Sequence, residues 1–206
     1  MKKRLATILV ALLAMFGIAA TAVPANASPP SPVANGFKFW SPSICVDGSG
    51  INGTYYRVAD LAQQWNLKTS TIALNYEDDC AAAGYPPSRR MVVGTYNNPA
   101  DTNCTLKTNT QSTFYNGFYR WTNGPGIYIN VANPYCVGSQ TRRDHMVSGS
   151  IGYLLGLGWL QSDNYNSRVM NGTEWSRENV GTPDVYSGAM LTDIYNGVYC
   201  DSGTAC

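Results

Sequence analysis

Few side chains in this sequence are able to do chemistry, and they are unevenly placed. His145 is the single histidine in 206 residues, so it alone can offer an imidazole to a metal or a proton relay. With Asp144 beside it and Glu174 or Glu178 downstream it outlines a displaced metal site. One imidazole with scattered carboxylates falls short of the ligand set of a zinc centre, and a solvated histidine in the first turn of a helix is the plainer reading. Ser148-Gly149-Ser150-Ile151-Gly152 is superficially like a nucleophile elbow. It lacks the first glycine, it sits in a helical pattern instead of a strand-to-helix turn, and its His and Asp are sequence neighbours. Glu77-Asp78-Asp79 offers calcium ligands or part of a glycosidase pair. Without the D-x-D-x-D-G spacing it reads as a solvated acidic loop before Cys80. The chain also holds 14 tyrosines and 5 tryptophans. Tyr55, Tyr56, Tyr115, Tyr119, Trp121, Tyr128 and Tyr165 are candidates for a glycan or peptide platform, set against ordinary strand packing.

Composition narrows the classes. Met1-Lys2-Lys3-Arg4, the apolar run Leu5–Ala22 and Ala25-Asn26-Ala27 read as a secretory signal peptide over 1–27. Its removal would leave 11 Lys+Arg against 13 Asp+Glu. That balance excludes nucleic acid and an anionic membrane surface as expected partners. No further apolar run reaches the ~20 residues of a bilayer span. Cys45, Cys80, Cys104, Cys136, Cys200 and Cys206 are an even set, expected as disulfides in an exported chain. A Cys80–Cys104 pairing is expected, because these two bracket a loop-rich stretch. A linker over 28–36 and one domain over 37–206 complete the expected organisation.

The elements that would position these residues follow from periodicity. Val58, Leu61, Ala62 and Trp65 stand at i, i+3, i+4, i+7 within 54–66 and predict an amphipathic helix. Strands are expected over 71–77, 90–96, 117–121 and 127–131, the last after the turn Asn123-Gly124-Pro125-Gly126. Thr141–Gly158 predicts a long helix with an apolar stripe of Val147, Ile151, Leu154 and Leu155. It tolerates Gly149, Gly152 and Gly156, each costing about 1 kcal/mol against alanine inside a helix. Thr182-Pro183 predicts the start of a closing helix.

In this order of helix, strands, edge strand, long helix, methionine turn and final helix, the chain resembles the metzincin zinc endopeptidases, in particular the small secreted matrixin-like enzymes of bacteria. Gly156 falls on the family glycine of HExxHxxGxxH, and Arg168-Val169-Met170-Asn171 resembles the methionine turn, with Met170 in the floor position. Ile127, Tyr128, Ile129, Asn130 and Val131 resemble the edge strand that pairs with substrate. The same register puts Gly149, Tyr153 and Trp159 at the three histidine positions and Ser150 at the catalytic glutamate. Glycine has no donor atom, an indole N–H cannot ligate, and a phenol is a poor ligand at neutral pH. A serine is no carboxylate base for a metal-bound water.

The resemblance therefore implies an α+β metzincin-like domain with a twisted mixed sheet, two long helices, a C-terminal closing helix and disulfide staples, its zinc motif lost. It implies a secreted monomer that is more a pseudoenzyme than an enzyme. No catalytic zinc is expected, structural calcium is admitted, and a peptide or protein is expected to bind at 127–131 by strand addition. Two other functions stay open: a hydrolase or metallopeptidase with a displaced metal near His145, and an aromatic-surface protein that binds cell-wall glycan. Tyr153 and Trp159 are expected to fill the vacated cleft floor by packing.

Overall fold

Ile44, Cys45 and Val46 are fully buried, as an apolar run becomes when a strand has parallel neighbours on both sides and is covered on both faces. They form β2, Ser43–Asp47. It pairs in parallel with β3, Ala73–Glu77, and with β4, Arg90–Tyr96. β4 continues in parallel to β8, Gly126–Asn130, and β5, Thr105–Thr108, adds to β8 antiparallel. The order of this five-stranded sheet is β3-β2-β4-β8-β5. In the computed structural model the described residues are 34–158, 169–170 and 181–197, all within the unit Ser31–Cys206.

A second sheet, order β1-β7-β6, was not expected from the sequence and takes in the strand predicted at 117–121. It contains β1, Phe37–Lys38, β6, Ser112–Tyr115, and β7, Phe118–Trp121. β6 and β7 form a hairpin whose two turn residues, Asn116 and Gly117, both have positive φ (48° and 77°), the requirement of a tight hairpin turn. The chain is thus mixed α+β, with two sheets and four α-helices among the described residues.

Helix α1, Val58–Asn66, buries Val58, Leu61, Ala62 and Trp65, the face read from the spacing. It connects the parallel strands β2 and β3, which no tight turn could do. The short α2, Pro134–Val137, is capped by Asn133. Helix α3, Gln140–Leu155, begins at Ser139, whose Oγ accepts from Arg142 N at 3.2 Å, and ends at Gly156 with φ 117°. From Asp144 to Leu155 only Tyr153 is not buried, so α3 is a central helix rather than an amphipathic one. Helix α4, Val185–Asn196, starts two residues later than the Thr182 signal. Its cap is Asp184, which accepts from the Tyr186 and Ser187 amides at 3.0 and 2.9 Å.

Two further expectations are corrected. The segment assigned to the linker enters the fold, because Ala34 is buried and bridges Leu157. Asn35 closes the C-terminal end of α3: its N–H reaches Gly156 O at 2.7 Å, and its Nδ2 donates to Tyr153 O and Leu157 O. The disulfides are Cys45–Cys80 and Cys104–Cys136, not Cys80–Cys104. The first ties β2 to the loop after β3, and the second ties the entry of β5 to α2. Cys200 and Cys206 lie outside the described residues.

Candidate functional site

Gly149, Ser150 and Tyr153 lie on α3, which packs against β4 and β8. Gly149 and Ser150 are buried, and Gly156 is the left-handed residue that stops the helix. A Cβ on Gly152 would lie 2.7 Å from Met170 Sδ and 2.7 Å from Trp65 Cζ2, so this glycine lets the helix seat on both. Met170 is itself fully buried, and Trp65 Nε1 donates to Ser148 O at 3.1 Å. The Ser148 and Ser150 hydroxyls are buried and find no partner among the described residues. They lie inside the helix, not at a strand-to-helix turn, so the elbow geometry is absent. Trp159 lies outside the described residues.

Tyr153 is half-buried and reaches toward the sheet edge. Lys107, on β5, donates from Nζ to Tyr153 Oη at 2.6 Å, and its ammonium also sits 3.8 Å from the ring centroid. An ammonium thus stands against the one oxygen donor that the register puts at a ligand position. A metal cation would have to share that oxygen with a positive charge, and Gly149 supplies no donor. These residues do not fit a zinc ion.

The edge strand beyond β8 is β5, so 127–131 is not the sheet edge. β8 has β4 on one side and β5 on the other, which engages both its edges. Ile127, Ile129 and Asn130 are buried, with Tyr128 partly so and Val131 just beyond the strand. Asn130 is structural: its amide donates to Asn98 O and Asp101 O at 3.0 and 2.9 Å and pins the loop that leads into β5. The bond from Asn130 N to Cys104 O fixes the phase of the antiparallel ladder. Leu106 and Thr108 face β8 in hydrogen-bonded pairs, so the backbone groups of Thr105 and Lys107 point to the outer side. Among the described residues no strand pairs with that side. Leu106 is 48% exposed on the same strand.

The other candidates resolve individually. His145 is 6% exposed, a buried residue and not a solvated one. Asp144 is committed elsewhere, accepting from Arg57 Nη1 at 3.0 Å and Gln140 Nε2 at 2.6 Å. Glu174 and Glu178 lie outside the described residues, among which no three His, Cys, Asp or Glu side chains gather. In the acidic run, Asp79 caps the Ala81 and Ala82 amides at 2.7 and 3.0 Å. Asp78 accepts from Tyr76 Oη at 2.8 Å. Burial, then that bond, pushes the Tyr76 phenol up to about 12. Of the aromatics, Tyr56 and Trp121 belong to the core, whereas Tyr55, Tyr115 and Tyr119 are exposed; Tyr165 lies outside the described residues.

Sequence reasoning missed Thr105 and Lys107. Thr105-Leu106-Lys107-Thr108 is short and barely apolar, but a short strand with a lysine is itself an edge-strand signal. No family model matches the chain, and no curated protein matches it.

Proposed function

We propose that this chain is a secreted, metzincin-like protein without catalytic zinc that binds an extended peptide along the outer edge of β5. The observation that carries the reading is the exposed antiparallel edge strand β5, whose Lys107 reaches Tyr153 of α3. Strand addition needs only an unpaired N–H and C=O row, which Thr105 and Lys107 supply, and no metal. The sheet with one antiparallel edge strand, the helix stopped by Gly156 and Met170 packed beneath Gly152 support the relationship. Two disulfides and the expected signal peptide support export. Among the described residues no helix is long and apolar enough to cross a membrane. The commitment of Asp144 to Arg57 and Gln140 weighs against a displaced metal at His145.

The test is elemental analysis of the disulfide-intact protein after dialysis against trace zinc, with a peptide library screened for binding and cleavage with and without chelator. Below about a tenth of an equivalent of zinc, with peptide bound but uncut, is the expected result. Near one equivalent with chelator-sensitive cleavage overturns it.

A further inference from the structure

A polar cavity of about 410 Å³ lies beside the small sheet and is walled by Lys38, Trp40, Thr71, Arg120, Tyr195 and Asn196 among others. Lys38 and Arg120 are direct neighbours in the parallel β1–β7 ladder, so two cations stand side by side on one face. Lys38 is 3% exposed; its Nζ donates to Ile194 O at 2.8 Å and lies 4.0 Å from the Phe118 ring centroid. Capping the end of α4 accounts for Lys38 but not for Arg120. The Arg120 guanidinium donates from Nη1 to Phe39 O at 3.1 Å, while its Nε is buried without a partner. Among the described residues neither cation has a carboxylate partner. Two adjacent, partly desolvated positive charges without a counterion are costly, and an anion in the cavity would offset that cost.

The rest of the wall narrows the anion. Trp40 is 46% exposed, and its ring is held in place by Arg120 at 5.7 Å and Tyr115 at 5.3 Å. A prepositioned half-exposed aromatic face takes the C–H face of a flat, amphipathic ring. Tyr195 Oη accepts from Phe39 N at 3.3 Å, which leaves its own O–H to donate. Burial raises this phenol well above its ordinary range, so the proton stays. Thr71 and Asn196 add a hydroxyl and an amide. The volume is that of a small-molecule site rather than a bare-ion site.

We propose that this cavity binds a uronic-acid sugar unit of an acidic glycan, with its carboxylate on Arg120 and Lys38 and its ring on Trp40. This site is separate from the β5 edge and does not depend on the peptide-binding reading. The test is calorimetric titration of the disulfide-intact protein with a short oligogalacturonate, a neutral galactose oligomer of the same length, acetate and phosphate. Oligogalacturonate is expected to bind at least about tenfold tighter than each of the others. Trp40→Ala and Arg120→Gln are each expected to weaken it by about tenfold or more. Should Arg120→Gln fail to fold, Trp40→Ala, at an exposed position, decides alone. Equal binding of the neutral oligomer, displacement by phosphate at equal affinity, or wild-type binding by Trp40→Ala overturns the proposal.

Discussion

Lys107 of the edge strand donates to Tyr153 of the central helix at 2.6 Å while its ammonium lies 3.8 Å from the same ring. One side chain thus joins the outermost strand of the sheet to the helix below it. The contact leaves the outward backbone groups of β5 untouched, because a strand's side chains stand perpendicular to its hydrogen-bonding direction. The edge and the pair can therefore be perturbed separately. Thr105→Pro removes an outward N–H at a position where proline is compatible with an edge strand. It is expected to weaken peptide binding about fivefold or more, with the thermal midpoint close to wild type. Fluorescence anisotropy with a labelled library hit reads the loss; unchanged affinity would place the peptide elsewhere.

Gly152→Ala places a methyl against Met170 Sδ and Trp65 Cζ2. Met170 can shift, but the Trp65 ring is anchored through Nε1 to Ser148 O. Alanine would gain about 1 kcal/mol in helix propensity, and the overpacking is expected to outweigh it. The net loss is about 1–2 kcal/mol, read from the urea midpoint at constant slope. A stabilised variant would mean that the seat is looser than described.

The Cys104–Cys136 bridge closes a separation of 32 residues and fastens the entry of β5 to α2. In the chain-entropy account, removing it costs about 4 kcal/mol. The Cys104→Ser/Cys136→Ser double variant is expected to lose that stability and also to raise amide exchange across 104–108 first, since β5 holds only one strand partner. Non-reducing peptide mapping of the wild type should recover Cys45 with Cys80 and Cys104 with Cys136. Recovery of Cys80 with Cys104 would refute the pairing.

Burial, and then the neighbouring Arg120 charge, lower Lys38 from 10.5 to about 8. Between those values the unfolded chain binds more protons than the folded one, so stability rises with pH in this window. From pH 8 to pH 10 the wild type should gain about 2 kcal/mol relative to Lys38→Met. Urea denaturation of both proteins at the two pH values checks it. A difference that is flat or falls with pH would show that Lys38 keeps its ordinary affinity for the proton.

Elements whose information is local were legible in the sequence. The i, i+3, i+4, i+7 spacing of Val58, Leu61, Ala62 and Trp65 named the buried face of α1. Arg90–Tyr96 was read with its observed bounds. In each case a backbone conformation or a periodic pattern is written into consecutive residues. The hairpin at Asn116-Gly117 carried such a signal too, an Asn-Gly pair between aromatic residues, although the strand before it was not read.

The edge was another matter. Ile127–Val131 alternates like a half-buried strand, but alternation reports faces, not lateral neighbours. Whether a strand is central or outermost depends on which segment lies down beside it, here the unremarkable Thr105–Thr108. The disulfide partners, the burial of His145, the capture of Asp144 by Arg57 and the pairing of Lys38 with Arg120 are likewise contacts between segments far apart in the chain. Sequence alone determined which chemistry is on hand: one histidine, two glycines in a helix that turns out to be buried, and a phenol where the metzincin resemblance would put a ligand. Only the tertiary structure decided which groups meet, because long-range partners are selected by the closure of the whole core and not by any local spacing.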